Sequence, residues 1–167
     1  MLLATTLVGC TSALDPTAFD GVGPEMRPES FFAGTTRSSG VLENRAGAPT
    51  RQLHVEGSGT RLADGGVRLD QTITFDQDAP TTRRWDMHRI DAHRYTGTLT
   101  DASGPIEGEA HGNLFHLHYA MTSPPGGRME QWLYLQPDGR TVVNEATITL
   151  LGIVVARLFE RITHEAP

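Results

Sequence analysis

The 167-residue chain carries 14 Lys and Arg against 20 Asp and Glu, a formal net charge of −6, with 20% charged and 38% apolar residues. An acidic surface repels phosphate backbones, which argues against nucleic acid as a partner. No run approaches the roughly 20 apolar residues of a membrane-spanning helix, and a single cysteine excludes an internal disulfide.

The N-terminal residues read as a processing signal. A short apolar run ends in Leu7-Val8-Gly9-Cys10. The tetrad resembles the bacterial lipobox, in which a small residue precedes a cysteine whose thiol accepts diacylglycerol. The expectation is a lipoprotein-type signal peptide over 1–9, lipidation of Cys10 and a lipidated tether over 10–30. Several acyl chains would make the anchoring stable where one would not. Thr11, not Asp, follows the cysteine. By resemblance to enterobacterial sorting, this places the anchor in the outer membrane, with the domain facing the periplasm. Residues 14–30 hold Pro16, Gly21, Gly23, Pro24 and Pro28 without periodicity, as a tether would. Pro28 to Phe32 suits one helical turn with Pro28 at its first position, so that Phe31 and Phe32 plug one end of the domain.

From about residue 36 the pattern has period two. Val67, Leu69, Ile73 and Phe75 share a face, with Arg68, Asp70, Thr72 and Thr74 on the other. Leu53 and Val55, Trp85 and Met87, and Tyr95 and Leu99 alternate with polar neighbours in the same way. Turn chemistry separates the strands at Ala46–Pro49, Asp64-Gly65-Gly66, Asp78-Ala79-Pro80, Ser103-Gly104-Pro105, Gly112-Asn113, Pro124–Gly127 and Pro137-Asp138-Gly139. The apolar segment Thr141–Ile162 is rich in β-branched residues and broken by Gly152. It reads as two strands joined by a tight bend.

Short connections force antiparallel neighbours, and a long meander hides its edges by closing on itself. The predicted fold is all-β: a single antiparallel up-and-down barrel of about ten strands over residues 31–162, with a tail over 163–167. A two-sheet sandwich is the alternative.

Several residues in order carry a family resemblance: Phe31-Phe32-Ala33-Gly34, Gly40 and Leu42, Gly112-Asn113 before a strand with Tyr119, Gln131-Trp132-Leu133-Tyr134-Leu135, Asn144-Glu145-Ala146, and Gly152. Over roughly residues 25–162 the chain resembles the DUF3833 family of bacterial proteins. The resemblance implies a lipoprotein with a lipocalin-like barrel, a connection to lipid, and no assigned activity. His116 and His118 stand where the family pattern has Arg, and Leu150 where it has Lys. Any family function resting on those basic residues is altered here.

One hairpin can be set in register. A two-residue Gly112-Asn113 loop places His111 opposite Leu114, Ala110 opposite Phe115, Glu109 opposite His116, and Glu107 opposite His118. Glu107, Glu109, His111, His116 and His118 then share one face. Three imidazoles and two carboxylates are metal-binding chemistry. The competing reading is a solvated outer face with charges paired across strands.

Trp132, Tyr134, Asn144 and Tyr119 are candidate ligand-binding residues. An aromatic wall with a few polar groups is what a small-molecule pocket needs. Trp132 as core or barrel lid is the competing reading. Arg83, Arg84, Arg89 and Arg94 would hold an anionic headgroup if they point inward, and form a basic outer stripe otherwise. No G-x-S-x-G, H-E-x-x-H, phosphate-loop, dinucleotide-binding or C-x-x-C motif occurs. No catalytic residue and no cofactor is expected. The leading expectation is a monomeric, membrane-anchored module binding a small apolar or fatty ligand. The alternatives are a lipid-modifying isomerase or cyclase and a structural lipoprotein that docks another envelope protein.

Overall fold

The computed structural model describes residues 14–165. Ten strands follow in order: β1 (Gly34–Asn44), β2 (Pro49–Arg61), β3 (Val67–Phe75), β4 (Thr81–Arg89), β5 (Arg94–Leu99), β6 (Ile106–His111), β7 (Leu114–Ala120), β8 (Gly127–Leu135), β9 (Thr141–Leu150) and β10 (Ile153–His164). Each pairs antiparallel with its sequence neighbours, and β1 pairs with β10 from Thr36 opposite His164 to Asn44 opposite Ala156. The result is a closed up-and-down barrel of lipocalin-like form, not a sandwich. Closure removes the two edges that a ten-strand meander would otherwise expose. The last strand runs to His164, two residues beyond the expected limit.

The turn chemistry does what it implies. Leu151 and Gly152, at φ 50 and 79, make the tight bend between β9 and β10. The left-handed conformation suits glycine and strains leucine. The β6–β7 hairpin has the expected register throughout, including Glu109 opposite His116 and Glu107 opposite His118.

One end of the barrel is plugged. A single helical turn, α1 (Pro28–Phe31), starts with Pro28 at its first position. Phe31 and Phe32, each 6% exposed, pack edge to face at 5.0 Å among Val67, Tyr95 and Ile162. The chain reaches this position because β2 carries Gly59 where the Phe32 carbonyl passes. The main core cluster runs from this plug to Leu99, Ile106 and Met129. At the other end, Leu42, Phe75, Ile148, Ala156 and Leu158 alternate with outward residues, so they face the lumen, yet they remain half-exposed. That end is the mouth.

The segment expected to be a tether is part of the fold from Pro16 onward. A 3₁₀ turn spans Pro16–Phe19, capped by Asp15, whose carboxylate accepts from Thr17 N–H at 3.0 Å. Phe19 tilts against Tyr134 at 5.7 Å, and the Met26 N–H donates to the Gly112 carbonyl at 2.7 Å. Met26 is 1% exposed. Burying Met26 and Pro28 outweighs the freedom that the Gly and Pro residues suggested. The expected signal peptide and lipidation site Cys10 lie outside the described residues.

Candidate functional site

Alternation assigns the lumen. In β7 and β8, Phe115, Leu117, Tyr119, Met129, Gln131 and Leu133 are buried and face inward, whereas His116, His118, Trp132 and Tyr134 face outward. Most inward positions are apolar. The exceptions form a row across five neighbouring strands: Ser38 on β1, Glu160 on β10, Asn144 on β9, Gln131 on β8 and Tyr119 on β7.

The row is linked by hydrogen bonds. Ser38 Oγ donates to Glu160 Oε1. Asn144 Nδ2 donates to Glu160 Oε2 at 3.1 Å and to Gln131 Oε1 at 3.0 Å. Both Asn144 donor hydrogens are therefore used, but its Oδ1 is buried with no partner, in a residue only 1% exposed. An orphaned buried acceptor costs about 1–3 kcal/mol. A donor arriving from the lumen would recover that cost. Beside the row, burial pushes the Tyr119 phenol above its ordinary range, with Arg83 opposing the shift.

Arg83 and Trp85 on β4 and Gln71 on β3 add further inward polar groups, and Arg83 Nη1 lies 3.8 Å from Asp101 Oδ2 in the β5–β6 turn. Trp85 Nε1 donates to Gln71 Oε1 at 2.6 Å, and Arg83 Nε donates to the same oxygen at 3.2 Å. The Arg83 guanidinium lies 5.2 Å from the Trp85 ring, which meets Tyr119 edge to face at 5.8 Å. Toward the mouth, Leu53, Val55 and Ile73 form an apolar cluster with Phe75 and Leu158. The inward face thus carries an apolar cluster together with one guanidinium, one carboxylate, one phenol and an unsatisfied amide oxygen.

Of the four expected ligand-binding residues, Tyr119 and Asn144 line the lumen and Trp132 and Tyr134 do not. Trp132 stacks on His116 at 3.8 Å outside the barrel, and Tyr134 packs under Phe19. The outward face was already marked by Glu130 and Gln136, their neighbours at period two. Of the four arginines, Arg83 points inward. Arg84 lies on the outer wall paired with Asp70 at 2.6 Å, and Arg94 pairs with Asp91 at 2.6 Å. Arg89 sits at the plugged end, 4.0 Å from Glu29. Ser38, Gln71, Gln131 and Glu160 are lumen residues that sequence reasoning missed. Gln71, Gln131 and Glu160 each interrupt an apolar alternation, which was the available signal, whereas Ser38 lies between Thr36 and Gly40 and carries none.

The five-residue metal cluster on the β6–β7 hairpin does not assemble. His116 pairs with Glu130 at 2.9 Å and Glu109 at 3.5 Å, and His118 with Glu107 at 3.7 Å, on the outer wall. Cross-strand spacing separates these pairs, and each imidazole already has a carboxylate. His111 stands apart. The N-terminal segment covers it, leaving it 7% exposed.

A solved structure with the same fold is the S-type phycobiliprotein lyase CPES from Guillardia theta, with a TM-score of 0.66 and 12% identity, covering 85% of this chain and 94% of that one. A protein of unknown function from the DUF3598 family of Nostoc punctiforme PCC 73102 aligns with a TM-score of 0.60 and 12% identity, over 86% of this chain and 51% of that one. At such identity the likeness concerns the fold alone. No curated protein matches the sequence. The family model for DUF3833, described as a protein of unknown function, matches residues 4–164, and the chain belongs to that family.

Proposed function

We propose that the barrel is a binding module for one small, mainly apolar molecule with a polar end, held at a membrane of the cell envelope by lipid on Cys10. The apolar part would lie along Leu53, Val55, Ile73, Phe75 and Leu158, and the polar end would reach Arg83, Tyr119 and Asn144. The observation that carries this reading is the unpartnered Asn144 Oδ1, 1% exposed, below lumen residues that remain half-exposed. Apolar pockets with a few fixed polar groups bind small ligands in this way. Barrels of eight to ten strands have room for side chains or one such molecule.

The test uses Trp85 as reporter. In a Trp132→Phe variant, Trp85 is the remaining tryptophan and is hydrogen-bonded to Gln71 beside Arg83. Titration with dodecanoate should change its fluorescence saturably at one molecule per chain, and native mass spectrometry should show the same stoichiometry. Arg83→Met should weaken dodecanoate about tenfold, equivalent to about 1.4 kcal/mol, and leave dodecanol unchanged. Absence of saturable binding by both probes, with no adduct in the native spectrum, would refute the reading. Arg83 and Glu160 both face inward, so the lumen also holds the titratable groups that a lipid-modifying enzyme requires. A change in probe mass after incubation would favour that second reading.

A further inference from the structure

On the outer wall, the N-terminal segment brings together three residues far apart in sequence. His111 ends β6, His93 lies in the β4–β5 connection, and Asp20 follows the 3₁₀ turn. His111 Nδ1 is 2.8 Å from Asp20 Oδ1, and its Nε2 is 3.4 Å from Glu109 Oε2. The His93 ring lies parallel to that of His111, 4.5 Å away and inclined by 7°. His93 Nδ1 is 2.9 Å from the Ala110 carbonyl oxygen. A carbonyl only accepts, so His93 Nδ1 carries the hydrogen and Nε2 keeps its lone pair. One donor atom from each of Asp20, His93 and His111 lies within 4.8 Å of the others.

We propose that Asp20, His93 and His111 bind a divalent transition-metal ion, with Zn²⁺ the best fit, and that the ion fastens the N-terminal segment to the barrel. Two imidazoles and one carboxylate suit Zn²⁺, with water in the fourth position. Ca²⁺ and Mg²⁺ would demand more oxygen ligands than the site offers. Tetrahedral Zn²⁺ separates its nitrogen and oxygen ligands by about 3.3 Å. Asp20 and His111 are already closer than that, and the exposed His93 ring, stacked parallel to His111, would tilt about its hydrogen bond to the Ala110 carbonyl to aim Nε2 at the ion.

The surrounding groups favour a metal over a simple hydrogen bond. Ligating histidines engage their second nitrogen with a carbonyl or carboxylate, which fixes tautomer and orientation. His93 does so through Ala110 and His111 through Glu109. The ion would replace the proton between His111 Nδ1 and Asp20, and the His111 Nε2–H would donate to Glu109. Because the ligands come from residues 20, 93 and 111, binding closes long loops and adds stability.

The test uses the full chain stripped with chelator. Zn²⁺ titrated against a chromophoric chelator should bind at one ion per chain, and Co²⁺ should give the intense visible absorption of a tetrahedral site. Asp20→Asn and His93→Gln, both at exposed positions, should each weaken Zn²⁺ by more than the roughly 10–100-fold cost of an outer-shell change. Glu109→Gln should weaken it by about tenfold. His118→Gln and Glu107→Gln should leave it unchanged. Glu-C cleavage after the exposed Glu25 should also be slowed by Zn²⁺ in the parent and not in His93→Gln. Absence of stoichiometric Zn²⁺ binding would overturn the proposal. So would binding that survives Asp20→Asn and His93→Gln, or binding that depends on His118. The site lies outside the lumen, so dodecanoate binding and Zn²⁺ binding succeed or fail separately.

Discussion

Gly59→Ala is expected to loosen the plug that closes the barrel. A methyl on Gly59 would sit 1.6 Å from the Phe32 carbonyl oxygen and 2.6 Å from its carbonyl carbon. The obstacle is backbone, so no rotamer change relieves it. The plug must retreat by more than about 1 Å to regain van der Waals contact. Met26, Phe31 and Phe32 depend on that seat, and burial of such side chains stabilises by about 1.5–3 kcal/mol each, roughly 5–9 kcal/mol together. A radial gap of about an ångström forfeits a quarter to a half of contact energy, which gives an expected loss of about 1–4 kcal/mol. For a domain of this size the melting temperature should fall by about 3–15 °C, read by thermal unfolding followed by circular dichroism. Gly104→Ala is the control, because nothing lies within 4 Å of its added methyl. If Gly59→Ala melts within about 1 °C of the parent, the plug is not seated as described.

Gly112→Ala should detach the N-terminal segment. Gly112 has φ 52, and its added methyl would lie 1.9 Å from the Phe19 carbonyl oxygen. The expected cost is at least about 1–2 kcal/mol, with faster Glu-C cleavage after the exposed Glu25. Asn144→Leu removes the orphaned acceptor but also the amide donor serving Gln131 and Glu160. It should destabilise by about 1–3 kcal/mol in urea unfolding, and Asn144→Leu with Glu160→Leu should recover much of the loss. Stability should decline as pH rises above about 10. Burial raises the Tyr119 phenol in the folded state, so its stabilisation is complete below the unfolded value and lost as pH climbs past it. Tyr119→Phe should flatten that decline. On the acid side, hydrogen bonds from Arg68 lower the Asp86 carboxyl. Its contribution is present above about pH 4 and fades as pH falls, and Arg68→Met should reduce the acid sensitivity.

The barrel was legible because alternation and turn residues are local signals. The Gly112-Asn113 loop fixed the hairpin register of Glu107, Glu109, His116 and His118. The β-branched run around Gly152 resolved into two strands for the same reason. Which face lines the lumen was harder, because aromatic residues point inward on some strands (Trp85, Phe115, Tyr119) and outward on others (Trp132, Tyr134). Trp132 and Tyr134 look like pocket residues by type, yet cover the outer wall. The polar row was hidden because Gln131, Asn144 and Glu160 meet only once β8, β9 and β10 are set in register, and Ser38 joins them only when β1 closes on β10. Asp20 and His93 escaped for a related reason. Neither belongs to a periodic segment, and they meet through packing of a Pro- and Gly-rich stretch that reads as linker.

The pairing of the first strand with the last has a kinetic corollary. The seam joins residues more than a hundred positions apart, as the Ser38–Glu160 contact illustrates, and contacts of such separation form late. Until residues 153–164 arrive, the nascent sheet carries two raw borders, each able to recruit a neighbour. During that interval the open sheet is a substrate for a holdase. Lesions within the closing strand should therefore register as aggregates before they register as a misfolded monomer.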